Sequence, residues 1–167
     1  WARLRPALVA ALGVAAFTQL SGLEMMIYYT PTILAGAGFS QSVALWSSLS
    51  LAVMYVVMTF IGRSIVDRVG RRGLMLVMIP GTVLTLLVLG GLFKAGMATD
   101  EHAWLVVGCL LLFMLFNAGG IQVVGWLLGS EMFPLSVRGK ASSAHAATLW
   151  GSNLLVTATA LSLVHYA

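Results

Sequence analysis

Within long apolar stretches this chain carries Gln19, Glu24, Tyr28, Tyr29, Trp126, His145, Trp150 and Asn153. Their side chains suit recognition more than bond-making. An amide offers donors and an acceptor that match a hydroxyl group, and a phenol does the same with one group. An indole presents a flat apolar face with a single N–H donor. Trp150, Asn153 and Thr157 recur at i, i+3 and i+7, which puts them on one helical face. That polar-aromatic face suits a hydroxylated solute. Glu24 could bind such a solute, attract a cation, exchange a proton, or make a structural hydrogen bond. His145 could relay a proton or tie two helices together.

Residues for covalent chemistry do not accompany them. There is no HExxH, no paired Cys/His metal spacing, no phosphate-cradling loop and no Ser/His/Asp set, and the histidines are scattered at 102, 145 and 165. We therefore expect no enzyme activity, no cofactor and no metal. The single cysteine, Cys109, leaves no intrachain disulfide to form.

The stretch Gln19 to Tyr29, followed by Thr30-Pro31, concentrates these groups. An ionisable residue at membrane depth faces protein or a water-filled cavity and marks a functional site. On a straight helix Gln19 and Glu24 lie about 140° apart. Gly22 between them is a place for local unwinding, which frees backbone groups for a ligand. Pro31 is expected to limit or kink the outer end of this helix. Tyr28 and Tyr29 also suit the aromatic belt at a membrane interface.

The elements that position these residues follow from composition. Hydrophobic residues make up 60% of the 167 and charged residues 8%, against about 25% charged in soluble domains. Mean hydropathy is +0.99. This is an integral membrane protein. Its net charge of +4 does not point to nucleic acid, because the charges sit in short gaps between apolar runs. Five runs, about 7–31, 42–62, 73–93, 103–130 and 141–164, reach the length of a spanning helix. They are continuous rather than alternating, so the expected class is an all-α membrane bundle, not a β-barrel. Residues 1–167 read as a single transmembrane domain.

Basic residues set the orientation. Arg3, Arg5, Arg63, Arg68, Arg71, Arg72, Arg138 and Lys140 fall on one side, and only Lys94, beside Asp100 and Glu101, falls on the other. The positive-inside rule makes the first side, with the N-terminus, cytoplasmic. Two of the cytoplasmic turns are distinctive. Asp67-Arg68-Val69-Gly70-Arg71-Arg72 is a tight mixed-sign turn, with Asp67 able to pair with an arginine or cap the next helix. Glu131 and Arg138 flank a turn containing Pro134 and are expected to meet as an ion pair. The 73–93 run suggests a packing helix without a site, and 94–102 a solvated outer loop. In the fourth run, Asn117, Gly119, Gly120, Gln122, Gly125 and Gly129 form a glycine-rich middle. Gly119-Gly120 suits bending, and Gly125 and Gly129 suit close helix approach.

Four of these stretches carry a family resemblance. They are Gln19-Leu20-Ser21-Gly22 with Tyr28-Tyr29, the turn Asp67 to Arg72, Trp126 with Ser130-Glu131-Met132-Phe133-Pro134 and Arg138-Gly139-Lys140, and Trp150-Gly151-Ser152-Asn153. Taken in order, the chain resembles the C-terminal half of the sugar porter family of the major facilitator superfamily, from helix seven to helix eleven. The resemblance implies a half-bundle of a twelve-helix transporter, lacking helices one to six and the last helix. It implies alternating access around a central site for a sugar or similar polyhydroxylated solute, secondary active or facilitative, with proton symport as one form. It places Gln19, Trp126 and Trp150 at the sugar, and Asp67, Arg68, Arg71, Arg72, Glu131 and Arg138 in an intracellular charge network that holds the outward-facing state. The expected partners are the solute, protons, the lipid bilayer and the other six-helix half, in the plasma membrane. Where the family usually has asparagine, this chain has Glu24. A non-sugar solute such as an organic cation, a nutrient sensor, and a non-transporting structural fragment are the alternative readings.

Overall fold

The structure, a computed structural model, describes residues 4–166, with side chains as far as Ala160. Arg3 and the side chain of His165 lie outside the described residues. Every regular element among the described residues is helical. Helix α1 spans Arg5–Leu20, α2 Leu23–Gly36, α3 Gln41–Val69 and α4 Arg71–Lys94. A 3-10 turn at Asp100–His102 leads into α5, Ala103–Phe116. A π-helical segment, Asn117–Gln122, joins α5 to α6, Val123–Glu131, and α7 runs Leu135–Tyr166.

Four stretches are long and apolar enough to cross a membrane: Arg5–Gly36, Gln41–Val69, Arg71–Lys94 and Asp100–Glu131. At 32 residues α7 also has the length, since a helix rises about 1.5 Å per residue. Ser142, Ser143, His145, Ser152 and Asn153 make it more polar than the other four.

The first run is two helices, not one. Gly22 takes φ +80, a left-handed conformation that interrupts the helix. The Gly22 N–H bonds back to the Gln19 carbonyl at 3.1 Å, and the Gly22 carbonyl accepts from the Met26 N–H at 2.9 Å to start α2. Pro31, expected to limit this helix, lies inside α2, which continues to Gly36. Proline removes one donor, which costs less in an apolar phase than ending the helix and leaving a whole turn unpaired. The stop comes instead at Gly38, φ +89, where the Phe39 N–H returns to the Leu34 carbonyl at 3.0 Å.

Helix α1 packs against α7, α4 against α5, and α3 against α2, α5 and the π segment. The main core joins Leu23 and Leu34 of α2, Leu51 and Met58 of α3, and Val106, Leu110, Phe113 and Met114 of α5. A second cluster, Val66, Leu74, Val123 and Val124, lies near the turn at Gly70. The π segment is held at close range. A Cβ added to Gly62 of α3 would stand 2.8 Å from the Gly119 carbonyl carbon, and one added to Gly120 would stand 2.6 Å from Cβ of Met78 on α4. Trp46, Phe60, Leu76, Leu84 and Leu87 face outward, as a lipid-facing surface requires. The outer loop is more than a solvated connection, because the Asp100 carboxylate accepts the Ser40 N–H at 2.9 Å and ties the loop to the start of α3.

Candidate functional site

The break between α1 and α2 faces the π segment, and two hydrogen bonds link them. The Asn117 amide donates to the Ser21 hydroxyl at 2.8 Å. The Gln122 amide donates to the Glu24 carboxylate at 3.5 Å. Irregular backbone at membrane depth is tolerated where it is buried in protein or lines a cavity. Here both irregular segments turn towards each other. The Ser21 hydroxyl also donates to the Thr18 carbonyl at 2.6 Å, which closes the end of α1.

The polar groups around this junction are only partly satisfied. Gln19, Asn117 and Gln122 are buried, and each has a side-chain oxygen without a hydrogen-bond partner. Buried polar groups are normally paired, so these three amide oxygens, two of them on the π segment and one on α1, are exceptions. Glu24 is half-buried in the first turn of α2. The phenols of Tyr28, one turn further along α2, and of Tyr55 on α3 stand in its electrostatic surroundings. The ion pairs among the described residues all belong to Arg71, and none involves Glu24.

Trp126 follows Gln122 by four residues, hence on the same helical face. Its ring meets Trp150 of α7 edge to face, with centroids 6.2 Å apart and planes at 68°. Both indoles keep open surface, at 42% and 58% exposure. Aromatic pairs prefer this geometry, and it leaves flat faces free. Asn153 does not share the exposure of Trp150. It is buried, and its side-chain oxygen accepts the Thr157 hydroxyl at 2.8 Å within α7. The pattern i, i+3, i+7 gave a common face, but α7 turns that face from open surface at Trp150 into the bundle at Asn153. Tyr28 is exposed, whereas the Tyr29 hydroxyl donates to the Thr157 carbonyl at 3.4 Å and so joins α2 to α7.

His145 is buried between α7 and α6, with Nε2 at 2.8 Å from the Gly125 carbonyl. A carbonyl can only accept, so Nε2 carries the hydrogen, and buried Nδ1 has no partner. The ring fits because Gly129 has no side chain: a Cβ there would stand 2.8 Å from His145 Cγ. Gly125 gives α1 the same access, since its Cβ would stand 2.5 Å from the Thr18 hydroxyl.

At the charged turns, Arg71 grips Glu131 with two nitrogens, Nε to Oε2 at 3.0 Å and Nη2 to Oε1 at 2.6 Å. Asp67, one turn back, also reaches Arg71 Nη2 at 2.9 Å. The expected Glu131–Arg138 ion pair does not form. Arg138 instead donates to the Phe133 carbonyl at 3.1 Å, holding the Pro134 turn closed. The fork of Arg71 matches a carboxylate in two places at once, and it arrives from the other turn. Arg68 and Arg72 make no ion pair among the described residues.

Asn117 and Gln122 were visible in the sequence only as part of a glycine-rich middle. Two amides five residues apart inside a spanning run were the signal for them.

Comparison with known proteins agrees with this architecture. The family described as Sugar (and other) transporter matches residues 1–166. The D-xylose-proton symporter-like 1 of Arabidopsis thaliana is 37% identical over 152 residues, 90% of this chain and 30% of its own length. The facilitated trehalose transporter Tret1 of Drosophila willistoni is 34% identical over 160 residues, 93% of this chain and 18% of its own. The D-xylose transporter of Levilactobacillus brevis is 29% identical over 163 residues, 98% of this chain and 36% of its own. The chain thus spans little more than a third of the length of these relatives at most. Its apolar helices, its helix break and its charged turns, together with a family match from end to end, make this chain a member of the sugar porter family of the major facilitator superfamily.

Proposed function

We propose that this chain supplies helices seven to eleven of a twelve-helix transporter, moving a sugar or similar polyhydroxylated solute across a cell membrane by alternating access. In this reading it works with a six-helix N-terminal half, with its own N-terminus on the cytoplasmic side. The observation that carries the reading is the junction of the α1–α2 break with the π segment. Buried amide oxygens on Asn117 and Gln122 lack donors there, as does that of Gln19 on α1, and sugar hydroxyls are donors. Trp126 and Trp150 offer open indole surface for the apolar face of the ring. Tyr28 stands at the outer side, while Tyr29 ties α2 to α7 and Asn153 holds Thr157 within α7.

Alternating access needs a latch that opens. The Arg71–Glu131–Asp67 cluster joins the ends of α3, α4 and α6 and serves as that latch, with Arg68, Arg72 and Arg138 beside it. A transporter of this kind performs no chemistry on its solute, so we read the chain as no enzyme.

Glu24 gives a reason to favour proton coupling. A carboxyl in a spanning segment without a basic partner is costly as an anion and is relieved by taking up a proton. His145, with an unpartnered Nδ1, is the second proton-coupling candidate. The test is sugar uptake into proteoliposomes by the complete transporter, with and without an imposed proton gradient. Gln19→Ala is expected to weaken uptake, and Glu24→Gln to abolish its response to the gradient. Full uptake by Gln19→Ala would remove the proposed site, and an unchanged gradient response in Glu24→Gln would remove Glu24 from coupling.

A further inference from the structure

The buried atoms of the π segment that lack a hydrogen-bond partner are both amide oxygens, and a carboxylate stands beside them. Glu24 carries two oxygens, and Gln122 Nε2 reaches one of them at the long distance of 3.5 Å. Gln122 itself is buried at 3% exposure, with Oε1 unpartnered, and Asn117 at 0% leaves Oδ1 unpartnered in the same region. Glu24 sits in the first turn of α2, where the helix dipole favours negative charge. Among the described residues the groups that act on it are neutral: the Tyr28 and Tyr55 phenols and the Gln122 amide. A neutral sugar would bring hydroxyl donors to this place but nothing to balance the carboxylate.

We infer that the solute of this site is an aminated sugar, whose protonated amine docks between the Glu24 carboxylate and the free oxygen of Gln122. This rests on the sugar-site reading above and narrows it. A primary ammonium carries three N–H donors and no acceptor, which complements a carboxylate beside an amide oxygen. It takes the place that a proton would fill on Glu24 when the solute is neutral. The remaining sugar hydroxyls face the unpartnered oxygens of Asn117 and Gln19, and the indoles of Trp126 and Trp150 flank the ring. An acetylated amine loses both the charge and two of the three donors, so the site discriminates against it.

The test is equilibrium binding of radiolabelled sugars to the complete transporter in lipid nanodiscs, using D-glucosamine, N-acetyl-D-glucosamine and D-glucose. A hydrogen bond to a charged group outweighs a neutral one by enough to predict about tenfold tighter binding or more for D-glucosamine. Glu24→Gln is expected to erase the difference between D-glucosamine and D-glucose. If D-glucose binds as tightly as D-glucosamine, or if the preference survives in Glu24→Gln, the aminated-sugar inference falls and the sugar site stands. Should no sugar bind at all, the sugar-site reading falls and takes the inference with it. Were Glu24→Gln to misfold, the comparison of D-glucosamine with its acetylated form on the native chain still decides, because acetylation removes the same charge contact from the other side.

Discussion

The His145–Gly129 contact makes a prediction whose sign depends on the background. In the native chain, a methyl group at residue 129 would stand 2.8 Å from His145 Cγ and 3.1 Å from Nε2. The ring is buried at 2% exposure and tethered to the Gly125 carbonyl, so it has little room to move away. Overpacking of this kind costs about 1–3 kcal/mol. Alanine in place of glycine inside a helix returns about 1 kcal/mol. Gly129→Ala alone should therefore destabilise by up to about 2 kcal/mol. His145→Ala removes the ring, leaves a cavity, and costs about 2–4 kcal/mol by analogy with large-to-small core changes. The hydrogen bond is the smaller part of that, since polar contacts between membrane helices average about 0.6 kcal/mol.

In the His145→Ala background the obstacle to a methyl group at 129 is gone. The gain in helix propensity remains, and the methyl fills part of the void, worth about 0.8 kcal/mol for each buried carbon. The same Gly129→Ala change should now stabilise by about 1–2 kcal/mol. Reversible unfolding of the four chains in mixed micelles measures this cycle. Additivity within about 0.5 kcal/mol, the behaviour of independent sites, would refute the packing described here. Stabilisation in both backgrounds would show that the imidazole swings aside and that Gly129 is not what admits it. The outcome bears on the proposed solute site, because the same two helices carry Trp126 and Trp150.

Two further predictions concern the backbone and the charged turns. Nothing lies within 4 Å of a Cβ built on Gly22, so Gly22→Ala tests conformation alone. It should cost about 1–2 kcal/mol for the left-handed residue, with Gly22→Asn milder, and equal unfolding midpoints for all three chains would contradict the break. At the charged turns, Arg71→Gln and Glu131→Gln should be non-additive in unfolding midpoint, and the exchanged pair Arg71→Glu with Glu131→Arg should recover part of the loss. Glu131→Gln and Arg138→Gln should be additive; coupling between these two instead of the first two would restore the pair that the sequence suggests.

The apolar runs and the side chains within them were legible because each depends on local properties. Gly22 announced its break, since a glycine between polar residues in a spanning run has few other uses. Gly125 and Gly129 announced close packing, though not that Thr18 and His145 were the groups admitted. The partner of Glu131 was not legible. Arg138 lies seven residues away and Arg71 sixty, and proximity in sequence favours the wrong one. What decides is that the Pro134 turn leaves the Phe133 carbonyl free for Arg138, while Gly70 brings the start of α4 level with the end of α6. Pro31 misled for a related reason, because its usual effect assumes that water can take the unpaired carbonyl.

The amides of the π segment show most clearly what a helical wheel omits. On an α-helix Asn117 and Gln122 lie about 140° apart, and only one of them could face α1 and α2. A π-helix bonds residue i to i+5, which stacks residues five apart on one side. With the extra residue per turn, Asn117 reaches Ser21 and Gln122 reaches Glu24. On the facing side, the left-handed Gly22 breaks the helix between Ser21 and Glu24. The two departures from helical geometry meet there, and each is secured by hydrogen bonds to the other. The position of the proposed site follows from these two backbone departures, before any side chain is assigned a ligand. In the proposed site Glu24 is the one carboxylic acid at this junction, and in the aminated-sugar inference it receives the cation of the solute.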